Sequence, residues 1–177
     1  MYLNVKTVIS LAERFKRHFL KDKELKKLLS QIQQKTRMNV QELFNANPKV
    51  EVAESKTATI FLINNKPLFA EKERMIFPTL GSYEVTKFLP QVIVNMGAIP
   101  HVCNGADIMA PGIVNIKGNF KKDDLVVVVD EQHQKPFAIG ISLHDCDALK
   151  DLKHGKFLRN IHFVGDDLWC LLKKLQV

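Results

Sequence analysis

The run His101-Val-Cys-Asn-Gly-Ala-Asp-Ile-Met-Ala-Pro-Gly-Ile113 gathers several kinds of chemistry into thirteen positions. His101, Cys103 and Asp107 are metal-ligand types, and His144 with Cys146 makes a second such pair. Structural zinc asks for four thiolate or imidazole ligands at recognisable paired spacings. Two His-x-Cys pairs do not supply that pattern, so no metal ligand is expected. Cys103, next to Val102, reads as a small buried hydrophobe. As a nucleophile it would need His101 or His144 within reach, and a His two residues away on one short segment rarely faces it. There is no G-x-S-x-G elbow, no paired-carboxylate spacing, and no G-x-G-x-x-G or G-x-x-x-x-G-K-[ST] phosphate loop. The expectation is a protein with no catalytic residue and no cofactor.

What remains in the run is main chain. Gly105 and Gly112 permit a positive φ or a close approach to a ligand. Pro111 stiffens the exit, and Ala106 and Ala110 keep the surface open. Exposed N–H and C=O groups there could meet a phosphate or an unstacked base edge. The same residues would serve a tight turn that packs Ile108 and Ile113 inward.

The charge has a place as well as a size. The chain of 177 residues carries a net +7, and residues 1–50 hold eleven Lys/Arg against four acids. The other 127 residues hold fifteen of each sign, so the whole excess is N-terminal. Arg14, Lys16, Arg17, Lys23, Lys26 and Lys27 form the candidate basic face, and a polyanion such as a nucleic acid is the partner it suits. A merely solvated face is the plainer alternative. Three widely spaced cysteines argue against a disulfide framework. The N-terminal run lacks the features of a signal peptide, and no apolar run reaches the length of a membrane span. A cytoplasmic location, away from membranes, is expected.

The elements that must position these residues follow from periodicity. Leu25, Leu28, Leu29 and Ile32 stand at i, i+3, i+4, i+7, which predicts a helix over 21–34 with Asp22 as its N-cap and Lys23, Lys26 and Lys27 facing outward. Before it, alternation of Phe15, Arg17 and Phe19 against Lys16 and His18 allows a strand. "MNVQELF" suggests a short helix capped by Asn39. "VEVAES", "TATIFLI" and "PLFAEK" read as strands, with Asn64-Asn65 as a tight hairpin turn. Residues 81–88 read as a short helix. After Leu89-Pro90 the pattern becomes "QVIVN", "GIVNI", "LVVVVDE" and "PFAIGISL", short strands of a small barrel or sandwich. The valine run lacks alternation, which makes it central or buried on both faces. Asp145–Leu152 is a turn or two of helix, and "KFLRNIHFV" and "DLWCLLKKL" are expected to close the sheet. The fold class is thus α+β: a small α+β unit over residues 1–88, then a small β-barrel or sandwich over 89–177.

The spacing GA-x6-GAD-x3-PGI, within "VIVNMGAIPHVCNGADIMAPGIVNI…DDLVVVVDEQHQKPFAIGISL", resembles the PUA domain, a small β-barrel named for pseudouridine synthases and archaeosine transglycosylases. That resemblance covers about residues 90–175. "RHFLKDKELKKLL", "NNKPLF", "FPTL" and "NIHFVGDDLW" resemble a narrower family, the malignant-T-cell-amplified-sequence or translation-machinery-associated proteins and their archaeal relatives. It implies RNA binding without catalysis, with a pre-PUA domain ahead of the PUA domain. PUA domains contact RNA with a helix and the glycine loop after it, here Ala98–Asn104 and Gly105–Gly112. Gly97, Ala98, His101, Asn104, Gly105, Ala106, Met109, Pro111 and Gly112 become the candidate contacts. The implied RNA is a tRNA acceptor end or small-subunit rRNA. The implied setting is initiation, reinitiation or recycling on the ribosome, with a protein partner of the density-regulated type. Two other roles stay open: an accessory RNA-binding subunit of a pseudouridine- or archaeosine-type modification system, and a protein-interaction module of a ribosome-associated complex. The sequence departs from the family at Asn95-Met96, where Asp is common before Gly-Ala, and at Asp123-Asp124, where Gly-Asp is usual.

Overall fold

The computed structural model of the protein describes residues 15–36, 38–40, 44 and 48–175. Arg14 of the candidate basic face lies outside them, as do residues 41–43 of the helix expected after Asn39. Among the described residues the first half is an antiparallel meander of β1 (Lys16–Phe19), β2 (Val50–Glu54), β3 (Thr59–Ile63), β4 (Lys66–Lys72) and β5 (Met75–Pro78), in that order across the sheet. Helix α1 (Asp22–Thr36) enters between β1 and β2. Its first bond runs from the Leu25 N–H to the Lys21 carbonyl at 2.9 Å. Lys21 therefore holds the N-cap position, and Asp22, expected there, is the first helical residue. Glu24 accepts from the Lys21 N–H at 3.1 Å, the N3-to-N-cap half of a capping box.

Two hairpins turn on two residues each. Asn64 and Asn65 sit at φ 51° and 67°, as a type I′ turn requires. Glu73 and Arg74 do the same between β4 and β5 at φ 53° and 63°. Those residue types give no warning of such a turn, and sequence reading passed over both it and β5. A single helical turn, α2 (Tyr83–Thr86), stands where 81–88 was expected to be helical.

The second half is a mixed sheet. Its strands are β6 (Gln91–Val94), β7 (Ile108–Met109), β8 (Ile113–Lys117), β9 (Leu125–Asp130), β10 (Pro136–Ser142) and β11 (Lys156–Phe163). Among the described residues they lie in the order β7-β11-β10-β9-β6-β8, with β6 and β9 parallel. A 3-10 turn at Met96–Ala98 and helix α3 (Ile99–Val102) follow β6. A further 3-10 turn, Cys146–Lys150, precedes β11. Strands β7 and β8 occupy opposite edges of the sheet, yet only Ala110–Gly112 separates them in sequence. Four Cα steps span at most about 14 Å. The sheet must therefore curl until its edges nearly meet, and the 110–112 segment crosses the seam.

The final run, "DLWCLLKKL", was expected to be a strand and is helix α4 (Asp167–Leu175). Leu168, Leu171, Leu172 and Leu175 keep a helical period, with the first three buried and Leu175 packed beside them. The Asp166 carboxylate caps the helix, accepting from the Trp169 N–H at 2.6 Å.

Three apolar clusters hold these layers. Leu28 and Ile32 of α1 pack on Val52, Phe61, Ile63 and Phe69 of the first sheet. The opposite face of that sheet, with Ile60, Leu62, Ala70 and Phe77, shares one core with Leu125, Val127, Val129 and Ile139 of the second sheet and with α4. Inside the curl lie Val92, Val94, Phe120, Val126, Val128, Phe157 and Leu158. This answers the valine run: alternate residues of β9 feed two different cores, and every one is buried. The two halves are thus bound through a common apolar layer.

Candidate RNA-binding groove

The curl opens at its seam into a groove of about 760 Å³. Ala98, His101, Gly105, Ala106, Met109, Pro111 and Gly112 line it, seven of the nine contacts expected from the glycine-loop region. Gly97 and Asn104 are exposed beside it and do not line it. The helical part is shorter than the expected 98–104, ending at Val102.

Local sequence explains the walls. The Asn95 side chain caps the 3-10 turn, accepting from the Ala98 N–H at 3.0 Å. The Asn95 backbone N–H donates to the Gly112 carbonyl at 3.0 Å, which ties one wall to the other. The amide oxygen of Asn accepts as an Asp carboxylate would, so the departure from the family pattern removes a charge and keeps the cap. The second departure is explained too. Asp123 sits at φ 70°, in the left-handed region that glycine fills without strain and that Asp tolerates better than most.

Gly105 has φ 89°, and a Cβ there would meet the Phe163 ring of β11 at 3.5 Å. At Gly112 a Cβ would press the Ala98 methyl at 3.3 Å. One glycine is needed for its conformation and the other for close packing across the groove.

The floor is fastened by β11. The Asn160 amide donates to the Val102 and Ala106 carbonyls, each at 3.0 Å. Its backbone N–H donates to Asp107 Oδ1 at 3.0 Å. With two carbonyls facing one end of the amide, that end must be the nitrogen. Asn160 Oδ1 is buried without a partner. Lys156, which lines the groove, pairs with Asp107 Oδ2 at 2.9 Å. Burial pushes the Asp107 carboxyl upward, but Lys156, the Asn160 N–H and the charge of Arg159 outweigh it and hold it below the usual carboxylate range. The groove thus combines apolar surface from Ala98, Val102, Ile108, Met109 and Pro111 with one neutralised ion pair.

Sequence reading missed Lys156 and Asn160, because nothing local marks them. They reach the site only through the pairing of β7 with β11. It also left the rest of the chemistry apart. Cys103 is half-buried and packs against the barrel core, and burial pushes its thiol pKa up, away from a thiolate. Among the described residues no group of three or more His, Cys, Asp or Glu is placed to hold a metal, and no helix is long and apolar enough to cross a membrane.

The basic face is a separate surface. Lys16, Lys23, Lys26 and Lys27 are exposed on β1 and α1, and none lines the groove. Arg17 is engaged: its Nε and Nη2 donate to the two Glu51 carboxylate oxygens at 2.8 Å each. The bidentate pair neutralises the charge that was expected to face a phosphate.

A curled mixed barrel with a glycine loop at its seam defines a class, and comparison with known proteins agrees. Residues 90–164 match the PUA domain, and residues 16–82 match a domain of unknown function, DUF1947. An uncharacterized protein of Methanocaldococcus jannaschii is 39% identical over 157 residues, covering 87% of this chain and 95% of that one. Translation machinery-associated protein 20 of Schizosaccharomyces pombe is 35% identical over 107 residues, 58% of this chain and 59% of that protein. A malignant T-cell-amplified sequence 1 homolog of Dictyostelium discoideum is 31% identical, covering 69% and 70%. Among solved structures, a hypothetical protein of Pyrococcus horikoshii superposes with a TM-score of 0.75 at 35% identity, covering 89% of this chain and 99% of that one. A PUA domain from Aeropyrum pernix gives 0.80 at 26% identity, covering 93% and 94%. The chain belongs to the family of two-domain PUA proteins that includes the malignant-T-cell-amplified-sequence and translation-machinery-associated proteins.

Proposed function

We propose that the protein binds RNA within the translation machinery, and that its seam groove takes an unstacked nucleotide at a single-stranded 3′ end. The observation that carries this reading is the convergence of Ala98, His101 and five residues of the glycine loop on one open groove at the barrel seam. Its volume falls in the range of about 300–1,000 Å³ usual for small-ligand sites. Apolar walls suit the face of a base, and the loop's main-chain groups suit its edge. The exposed lysines of α1 supply long-range attraction to phosphate. The RNA is a tRNA acceptor end or small-subunit rRNA, and the setting is initiation, reinitiation or recycling beside a partner of the density-regulated type. The membership of the chain in a family whose yeast relative is named for the translation machinery supports that setting.

Fluorescence anisotropy tests it, with labelled RNAs ending either in a free single-stranded 3′ terminus or in a closed loop, each titrated at several salt concentrations. The open end binds more tightly, and affinity falls with salt. Gly105→Val is the control: a β-branched residue at φ 89° is strained by about 1–3 kcal/mol, and the loop must deform. If that variant folds and binds the open-ended RNA as before, the groove is not the site. A flat salt dependence would remove the basic face from the mechanism.

A further inference from the structure

We infer that the turn before β11, with Lys150, Lys153 and His154, is a phosphate rail that holds the RNA strand leading out of the groove. The inference rests on the groove being an RNA site. Inside the groove the one lysine, Lys156, is already paired with Asp107 at 2.9 Å. The groove therefore has little charge to offer a phosphate, and the α1 lysines do not line it. A strand whose last base lies in the groove must leave it with its phosphates unmet, unless a neighbouring element supplies cations.

The geometry supplies one. The Ala110 N–H donates to the Gly155 carbonyl at 2.9 Å, and Met109 stands opposite Lys156 in the β7–β11 pair. The basic turn is thus bonded directly to the groove rim. Lys150, Lys153 and His154 are exposed, and among the described residues none has an ion pair. A Cβ added at Gly155 would touch nothing within 4 Å, so the turn stands open to solvent. The second half of the chain is balanced in charge overall, yet residues 150–156 hold three lysines and a histidine against the single acid Asp151. Point charges on flexible stems beside an apolar groove match a sugar-phosphate backbone that follows a bound terminal base.

The test uses the full chain and single-stranded RNAs of one to six nucleotides with a free 3′ end. Lys150→Ala/Lys153→Ala removes exposed side chains and leaves the fold intact by circular dichroism. Each phosphate contact on a single strand contributes about 0.7 to the slope of log K against log[salt]. The double variant is expected to lose about 1.4 from that slope for RNAs of four or more nucleotides. It leaves mononucleotide binding unchanged, and Lys150→Arg/Lys153→Arg retains the full slope. An unchanged slope and affinity for long RNAs, with Gly105→Val still abolishing binding, overturns the rail and leaves the groove standing. If the wild-type chain binds none of these RNAs, the groove reading falls, and the rail with it.

Discussion

Replacing Asn160 by alanine separates the stability of the groove floor from that of the molecule. The amide makes two 3.0 Å bonds, to the Val102 carbonyl at the end of α3 and to the Ala106 carbonyl just beyond Gly105. At about 0.5–1.5 kcal/mol net for each, they contribute about 1–3 kcal/mol. The same side chain buries an oxygen with no partner, and leaving a buried acceptor unmet costs about 1–3 kcal/mol. Alanine removes gain and cost together. The global loss should then be no more than about 1 kcal/mol, or about 2–4 °C in Tm for a chain of this size. The local effect is larger. The Gly105 and Ala106 amides bond back to the Val102 and His101 carbonyls, within the turn that Asn160 clasps. Their hydrogen exchange should quicken about tenfold or more, while amides of β9 keep their protection.

Asn160→Asp sharpens the test. It keeps the volume and turns an oxygen toward two carbonyl oxygens, so it should be less stable than the alanine variant and should bind RNA less well. Equal stability of the two variants, or unchanged exchange at 103–107 in the alanine variant, would refute the clasp. Either result would mean that the loop is held without the Asn160 side chain, by the Asn160 backbone N–H on Asp107 and the Lys156–Asp107 pair.

Asp166→Ala removes the α4 cap and the 2.8 Å partner of the buried His162 Nδ1, and denaturant unfolding should show a loss of about 2–4 kcal/mol. Burial raises the Asp166 carboxyl, but His162 and the two backbone N–H donors hold it below the usual range. Its contribution is therefore present above the unfolded value of about 3.9 and lost as pH falls through the lower folded value; the stability gap between wild type and Asp166→Asn should shrink on acidification below about pH 4. Gly112→Val places a Cβ 3.3 Å from the Ala98 methyl and bulk beyond it, so the groove walls must part; RNA affinity should drop at least tenfold with a Tm change of only a few degrees. Arg17→Ala breaks a pair whose arginine is 46% exposed, so it should cost no more than about 1 kcal/mol. It should alter the salt slope of RNA binding less than Lys26→Ala/Lys27→Ala does, because the Arg17 charge is already met by Glu51.

The parts of the fold that sequence disclosed are those fixed by local patterns. The 3.6-residue spacing of Leu25, Leu28, Leu29 and Ile32 gave α1, and Asn64-Asn65 gave a hairpin. The failures share a cause. In "DLWCLLKKL" the leucines permit a helix or a buried strand. The deciding signal is Asp166, a cap residue three before Trp169, which lies just ahead of that run and was given no role. At Glu73-Arg74 the backbone takes two positive φ values with residues that seldom do so, because the paired strands β4 and β5 impose the turn from outside. The valine run was placed correctly as central. Its two-sided burial, however, comes from the first sheet, whose Ile60, Leu62 and Phe77 lie against Leu125, Val127 and Val129 in one core. No window along the chain contains that relation.

The site divides the same way. The glycine loop was legible because its requirements are local: a positive φ at Gly105 and room at Gly112. Lys156 and Asn160 were not, because they stand 44 or more positions beyond Gly112 and reach the groove only by strand pairing. The curl itself explains why the site is at the seam. Among the described residues the inner strands of the sheet are paired on both sides, while β7 and β8 at its edges are each paired on one. Where β7 gives way to β8 across Ala110–Gly112, the ladder is interrupted, and the Ala110 N–H and the Gly112 carbonyl bond instead to the Gly155 carbonyl and the Asn95 N–H. A barrel closed by a regular strand would fill the seam and leave no groove. A barrel closed by a floppy loop would charge the ligand with ordering it. The Asn95 N–H bonded to the Gly112 carbonyl across the walls, and Asn160 beneath, hold the interrupted segment in place before any ligand arrives. The side-chain chemistry that first drew notice at His101, Cys103 and Asp107 is therefore secondary to the groove that the fold leaves open at the seam and whose walls it ties together.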